Sequence, residues 1–86
     1  MEKVIDVNFH VIWEHPVFVR TGEGFRERID GPDAALSELL HRWPSNCYPE
    51  FVVAKRRCVD AITNRGSPAL ARSAFIEAAI VAKVLA

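Results

Sequence analysis

Alternation opens the chain. From Val4 to Trp13, the residues Ile5, Val7, Phe9, Val11 and Trp13 fall on one side and Asp6, Asn8 and His10 on the other. That two-residue period predicts a half-buried strand over 4–13. Pro16 interrupts it, since proline has no N–H to give a ladder and belongs at bends and edges. Val17 to Thr21 and Phe25 to Ile29 then flank Gly22-Glu23-Gly24, the pattern of a β-hairpin. A three-residue loop pairs Thr21 with Phe25 and sets Val17, Val19, Phe25 and Ile29 on one face. It also places Gly24 at the left-handed position such loops need. A two-residue loop would turn both valines to the face of Arg26 and Arg28, so the three-residue loop is the expected one.

The period then lengthens to that of helices. Asp30-Gly31-Pro32 opens a helix over about 32–43, with Leu36, Leu39, Leu40 and Trp43 as its apolar stripe and Pro44 as its stop. Glu38 and Arg42 sit at i, i+4 on what should be its wet side. A second helix, about 49–64, gathers Phe51, Ala54, Cys58, Ala61 and Ile62 inward, and Gly66 is the expected C-terminal stop. Ser67-Pro68 caps and opens a third helix over about 68–85. At 100° per residue, Leu70, Ala71, Ala74, Phe75, Ala78, Val81, Ala82 and Leu85 fill one broad face of it. Arg72, Ser73, Glu77 and Lys83 lie opposite, yet Ile76, Ile80 and Val84 run down the middle of that polar side. A stripe of this kind is covered either by the rest of the fold or by a second chain. The fold class is therefore α+β: one domain, 1–86, with a small antiparallel sheet (hairpin 17–29 plus the strand 4–13) packed on three helices.

Composition sharpens the second alternative. Of 86 residues, 50% are hydrophobic, high for a chain that buries only roughly 60–65% of its unfolded surface. A subunit interface is the simplest place for the surplus. The 11 basic and 11 acidic residues cancel, so no global field draws the protein to nucleic acid or membrane. Two cysteines, Cys47 and Cys58, cannot build a disulfide framework or a four-ligand zinc site. Glu2, Lys3, Asp6 and Asn8 break up any secretory h-region, and no run approaches the length of a membrane span. A cytoplasmic protein with reduced thiols is expected.

Several residues along this pattern also fall in a familiar order. Trp13 with Pro16-Val17, the Gly-Glu-Gly turn, Ala34-Ala35 with Leu39 and Trp43-Pro44 come first. Ala54, Cys58 and Asp60-Ala61 follow, then Ala71-Arg72, Phe75-Ile76 and Ala78-Ala79. The set resembles the domain-of-unknown-function 982 family of short bacterial proteins over roughly Trp13 to Ala82. The resemblance implies a small bacterial α+β domain and brings no catalytic residues to carry over. Two departures bear on the ends of the second helix: the loop after Trp43-Pro44 lacks a glycine, and Ala61-Ile62-Thr63-Asn64 replaces an Ala-Leu-x-Gly ending.

Candidate chemistry is sparse. Cys58 lies in the apolar stripe of the second helix, so it reads as a buried structural thiol rather than a nucleophile, which needs an electropositive, partly exposed site. Cys47, in a loop, is the more accessible thiol. His10 and His15 would face opposite ways along one strand, and His41 lies on the wet face of the first helix, so no metal set forms. Paired carboxylates spaced for acid–base work are not visible, nor is a phosphate loop or a nucleophile elbow. No enzyme activity, cofactor, metal or small-molecule ligand is expected. The leading expectation is an accessory or protein-interaction domain that self-associates through Ile76, Ile80 and Val84. Arg20, Arg26 and Arg28 on the outer face of the hairpin, beside Phe18, form a second candidate contact surface. With Lys55-Arg56-Arg57 they support the alternative, a small nucleic-acid-associated regulator. The third helix, however, offers isoleucines where a recognition helix would offer polar side chains.

Overall fold

The computed structural model describes residues 12–21, 25–44, 48–63 and 65–86. The strand expected over 4–13 lies almost wholly outside them, as does the Gly22-Glu23-Gly24 loop. The described chain runs β1 (Val17–Val19), β2 (Glu27–Ile29), α1 (Pro32–His41), α2 (Pro49–Ile62) and α3 (Pro68–Ala82). It is a small α+β fold with an antiparallel hairpin and three helices, as the pattern predicts. Each helix begins on a proline, whose fixed φ suits the first turn and whose missing N–H costs nothing there.

The hairpin register is Val17↔Ile29, Phe18↔Arg28 and Val19↔Glu27, the pairing a three-residue loop demands. Val17, Val19 and Ile29 are buried against the helices. Phe25 is not; it is 76% exposed, because it lies beyond the last strand pair, where the inner face is occupied by polar groups described below. The helices also end earlier than expected. Trp43 falls outside α1, α2 stops at Ile62 and α3 stops at Ala82. Leu40, Ile62 and Leu70 are exposed rather than inward. The buried positions of α1 are Pro32, Ala35, Glu38 and Leu39, so Leu40 falls one step beyond its core-facing arc.

α2 and α3 form the most extensive packing, with α1 laid against α2 and the hairpin against α3. Phe75 is fully buried at the centre. Its ring lies 5.4 Å from Trp43 and 6.1 Å from Trp13, both tilted, within the range where aromatic pairs attract. The Trp13 indole N–H donates to the Pro68 carbonyl at 2.9 Å, and the Trp13 backbone N–H donates to Asp30 at 2.7 Å. These bonds tie the start of the described chain to both the sheet and the foot of α3. There the Ser67 hydroxyl caps the helix, accepting from the N–H groups of Ala69 and Leu70 at 3.1 and 3.3 Å.

Gly66 does not act as a left-handed stop for α2. Thr63 ends that helix, donating its hydroxyl back to the Val59 carbonyl at 2.9 Å. Gly66 is needed for a different reason: a Cβ there would lie 2.8 Å from the Cβ of Asp60. The left-handed stop occurs instead at Lys83, φ 62°, immediately after α3. It turns the chain back along β1. Val84 accepts from the Arg20 N–H at 2.7 Å, Ala86 donates to the Phe18 carbonyl at 3.0 Å, and Leu85 bridges Val19 in antiparallel sense. The stripe expected on α3 is thereby divided. Ile76 is half-buried against the core, Val84 is buried at 8% exposure beside β1, and Ile80 alone stays open at 52%.

Candidate functional site

The hairpin and α1 bring two carboxyl groups together. Glu27 stands opposite Val19 on the inner face of the hairpin, and Glu38 lies on the buried arc of α1 at 7% exposure. The expected solvent position of Glu38 is thus corrected: Thr21 and Glu27 cover it. Thr21 donates its hydroxyl to Glu38 Oε1 at 2.8 Å. Arg42 donates to Glu27 Oε2 at 2.9 Å, while its Nη1 lies 3.8 Å from Glu38 Oε2. The i, i+4 pair of the sequence is the longer leg of a three-way cluster.

Glu27 Oε1 is buried with no donor in reach. Two carboxylates side by side leave such an atom unsatisfied and repel each other, which favours protonation of one of them. Burial raises the pKa of Glu38 above its ordinary value, helped by the neighbouring Glu27. The hydrogen bond from Glu38 lowers that of Glu27, with Arg42 adding to the effect. Once protonated, Glu38 can donate to an ionised Glu27 and supply the missing donor. The pair is not visible in the sequence because Glu38 follows Glu27 by 11 positions on a different element, and only the fold joins them.

Among the hollows of the described surface, three are lined without either carboxyl. One, of about 280 Å³, lies between Ile12-Trp13-Glu14-His15 and the foot of α3. It holds the one described histidine that neighbours an acid, but Arg72 is turned there to the His15 carbonyl at 2.8 Å. The second, about 350 Å³, is framed on α2 by Val52, Val53, Arg56, Arg57 and Asp60. The third, about 210 Å³, lies between α2 and α3 and is lined by Pro49, Glu50, Val53, Ala74 and Glu77. Val53 belongs to both of the last two. Among the described residues no group of His, Cys, Asp and Glu could hold a metal ion, and no helix is long and apolar enough to cross a membrane.

The other residues singled out by the sequence are scattered. Arg26 stacks 4.7 Å above the Phe18 ring, and Arg28 pairs with Asp30 at 2.7 Å. With Arg20 they face outward from the hairpin. Lys55-Arg56-Arg57 lies on α2, with Lys55 5.9 Å over Phe51 and Arg56 3.8 Å from Asp60. The two basic groups thus sit on separate elements. Cys58 is fully buried, and burial, with Asp33 nearby, pushes its thiol up to about 12. That is an inert structural cysteine. His41 is exposed at the end of α1, while His10 and Cys47 lie outside the described residues.

The model of a family described as protein of unknown function (DUF982) matches residues 15–86. No curated protein and no solved structure matches the chain. The matched segment takes in both strands and all three helices, so the chain belongs to that family.

Proposed function

We propose that this member of the family is a non-enzymatic protein-interaction domain whose contact surface is the outer side of α2 and α3. The observation that carries this is the exposure of Val52 at 58%, Val53 at 47%, Leu70 at 51% and Ile80 at 52%. Single exposed apolar residues need no explanation; a set shared by two adjacent helices, of which Val52 and Val53 line hollows, marks a surface built for contact. The charged groups elsewhere support the same reading, since Glu27, Glu38 and Arg42 hold one another in place and Arg28 is paired with Asp30.

The test is photo-crosslinking in the cells that produce the protein, with the reactive group placed at Val53 or Ile80 and, as a control, at Asp33 on α1. Discrete adducts from the first two positions and none from the third are expected. Uncrosslinked protein at every position would overturn the reading.

A further inference from the structure

We propose that the partner for this surface is a second copy of the chain, docked with its α2 antiparallel to the first across Val53. This rests on the interaction reading above and names the occupant. Val53 forms the common floor of two adjoining hollows whose rims are opposite in sign. One is edged by Arg56 and Arg57, with Asp60 beside Arg56, so that its edge is net basic; the other is edged by Glu50 and Glu77. A chain of zero net charge thus presents a basic and an acidic half on either side of an apolar centre. A patch of that form is complementary to itself under a two-fold axis, the commonest symmetry of small homo-oligomers.

The register follows from helix geometry. When two copies of one helix cross antiparallel about Val53, each residue n positions after it faces the residue n positions before it in the partner. Arg56 and Arg57 then lie level with Glu50 of the partner subunit, Arg57 on the same flank of the helix, with Glu77 on the adjoining helix at the same rim. Both ends of the contact pair opposite charges, and the valines meet in the middle. The stripe on α3 offers no such arrangement, because Val84 is already buried and Ile76 half-buried within the chain. A dissimilar partner would need to match only one of the two rims; the presence of both, equidistant from one apolar residue, points to a copy.

Sedimentation equilibrium on the full chain tests this, with three samples: wild type, a double variant Glu50→Lys/Glu77→Lys, and a double variant Arg56→Glu/Arg57→Glu. Wild type is expected to dimerise at micromolar concentration. Each variant alone should associate at least about 100-fold more weakly, because reversal sets like charges opposite each other. Mixing the two variants should restore a dimer containing one of each, since every reversed rim then meets its complement. Far-UV circular dichroism checks that both variants fold. Independently of charge, Val53→Cys in a Cys47→Ser background should form an intermolecular disulfide on mild oxidation, and Asp33→Cys should not.

A monomeric wild type at millimolar concentration would overturn the proposal. So would a dimer that survives both reversals, or variants that fail to complement on mixing. If the crosslinks from Val53 lead to a different protein while the pure chain stays monomeric, the second-copy proposal falls and the interaction reading stands.

Discussion

A glutamate at 7% exposure facing a second glutamate makes the stability of the hairpin–α1 junction depend on one proton. The sign differs for the two groups. Glu38 has its pKa raised from 4.5 in the folded chain. Its contribution is full below that value and is lost as pH rises through the raised one. Glu27 has its pKa lowered, so its contribution is present above 4.5 and is lost as pH falls through the lowered value. The junction is firmest in between, with one proton shared. Glu38→Gln replaces the titrating donor with a permanent amide donor. Its melting temperature should gain on that of wild type as pH is raised from 4.5 to 8. A gap between the two proteins that stays constant over that range would sink the shared-proton account. Little of this was legible in the sequence. The spacing of Glu38 and Arg42 is helical and correct, but on one helix it points to a solvated pair. Only the hairpin register, which lays Thr21 and Glu27 over α1, makes it a buried cluster.

At the scale of elements, periodicity located both strands of the hairpin, all three helices and the hairpin register, because each buries one face and the repeat of that face is written in the residue types. What it missed were the ends. The stripe Ile76, Ile80, Val84 is regular at four-residue spacing, and nothing in that regularity marks Lys83 as the residue that leaves the helix. The left-handed conformation there costs a non-glycine residue about 1–2 kcal/mol. It is offset by the hydrogen bonds from Arg20 to Val84 and from Ala86 to Phe18 and by burial of Val84. The members of the stripe should therefore respond differently to the same change. Val84→Asp places a carboxylate beside β1 and should lower stability by at least about 3 kcal/mol. Ile80→Asp should change monomer stability by no more than about 0.5 kcal/mol. Urea unfolding of both variants makes the comparison, and equal losses would mean that the helix continues through Val84.

For the molecule as a whole, Cys58 is a ready reporter. It is fully buried where α1 meets α2, with a thiol pushed up to about 12. At pH 8 the folded chain holds almost no thiolate there, so a maleimide reagent must wait for the core to open. Labelling of Cys58 should be slower than in the unfolded chain by the full unfolding equilibrium, about 10³-fold or more, and urea well below the midpoint should speed it in step with stability. Labelling at the rate of an exposed thiol would show that α1 separates from α2 without global unfolding. Phe75, between two indoles, is the part of this core that the sequence displayed most openly. Its neighbours Trp13, before β1, and Trp43, after α1, reach it only in the fold.

The return of the chain along β1 has a consequence for synthesis. Val19 and Leu85 are bridged, yet β1 and β2 leave the ribosome long before Leu85 is made. Throughout that interval β1 carries an open edge that invites pairing with another nascent chain. Closing it requires one of the longest loops this sequence can form, which slows the final step of folding relative to assembly of the helices. An extension joined after Ala86 would begin within that last rung, so fusions at this end should impair folding more than their size alone suggests.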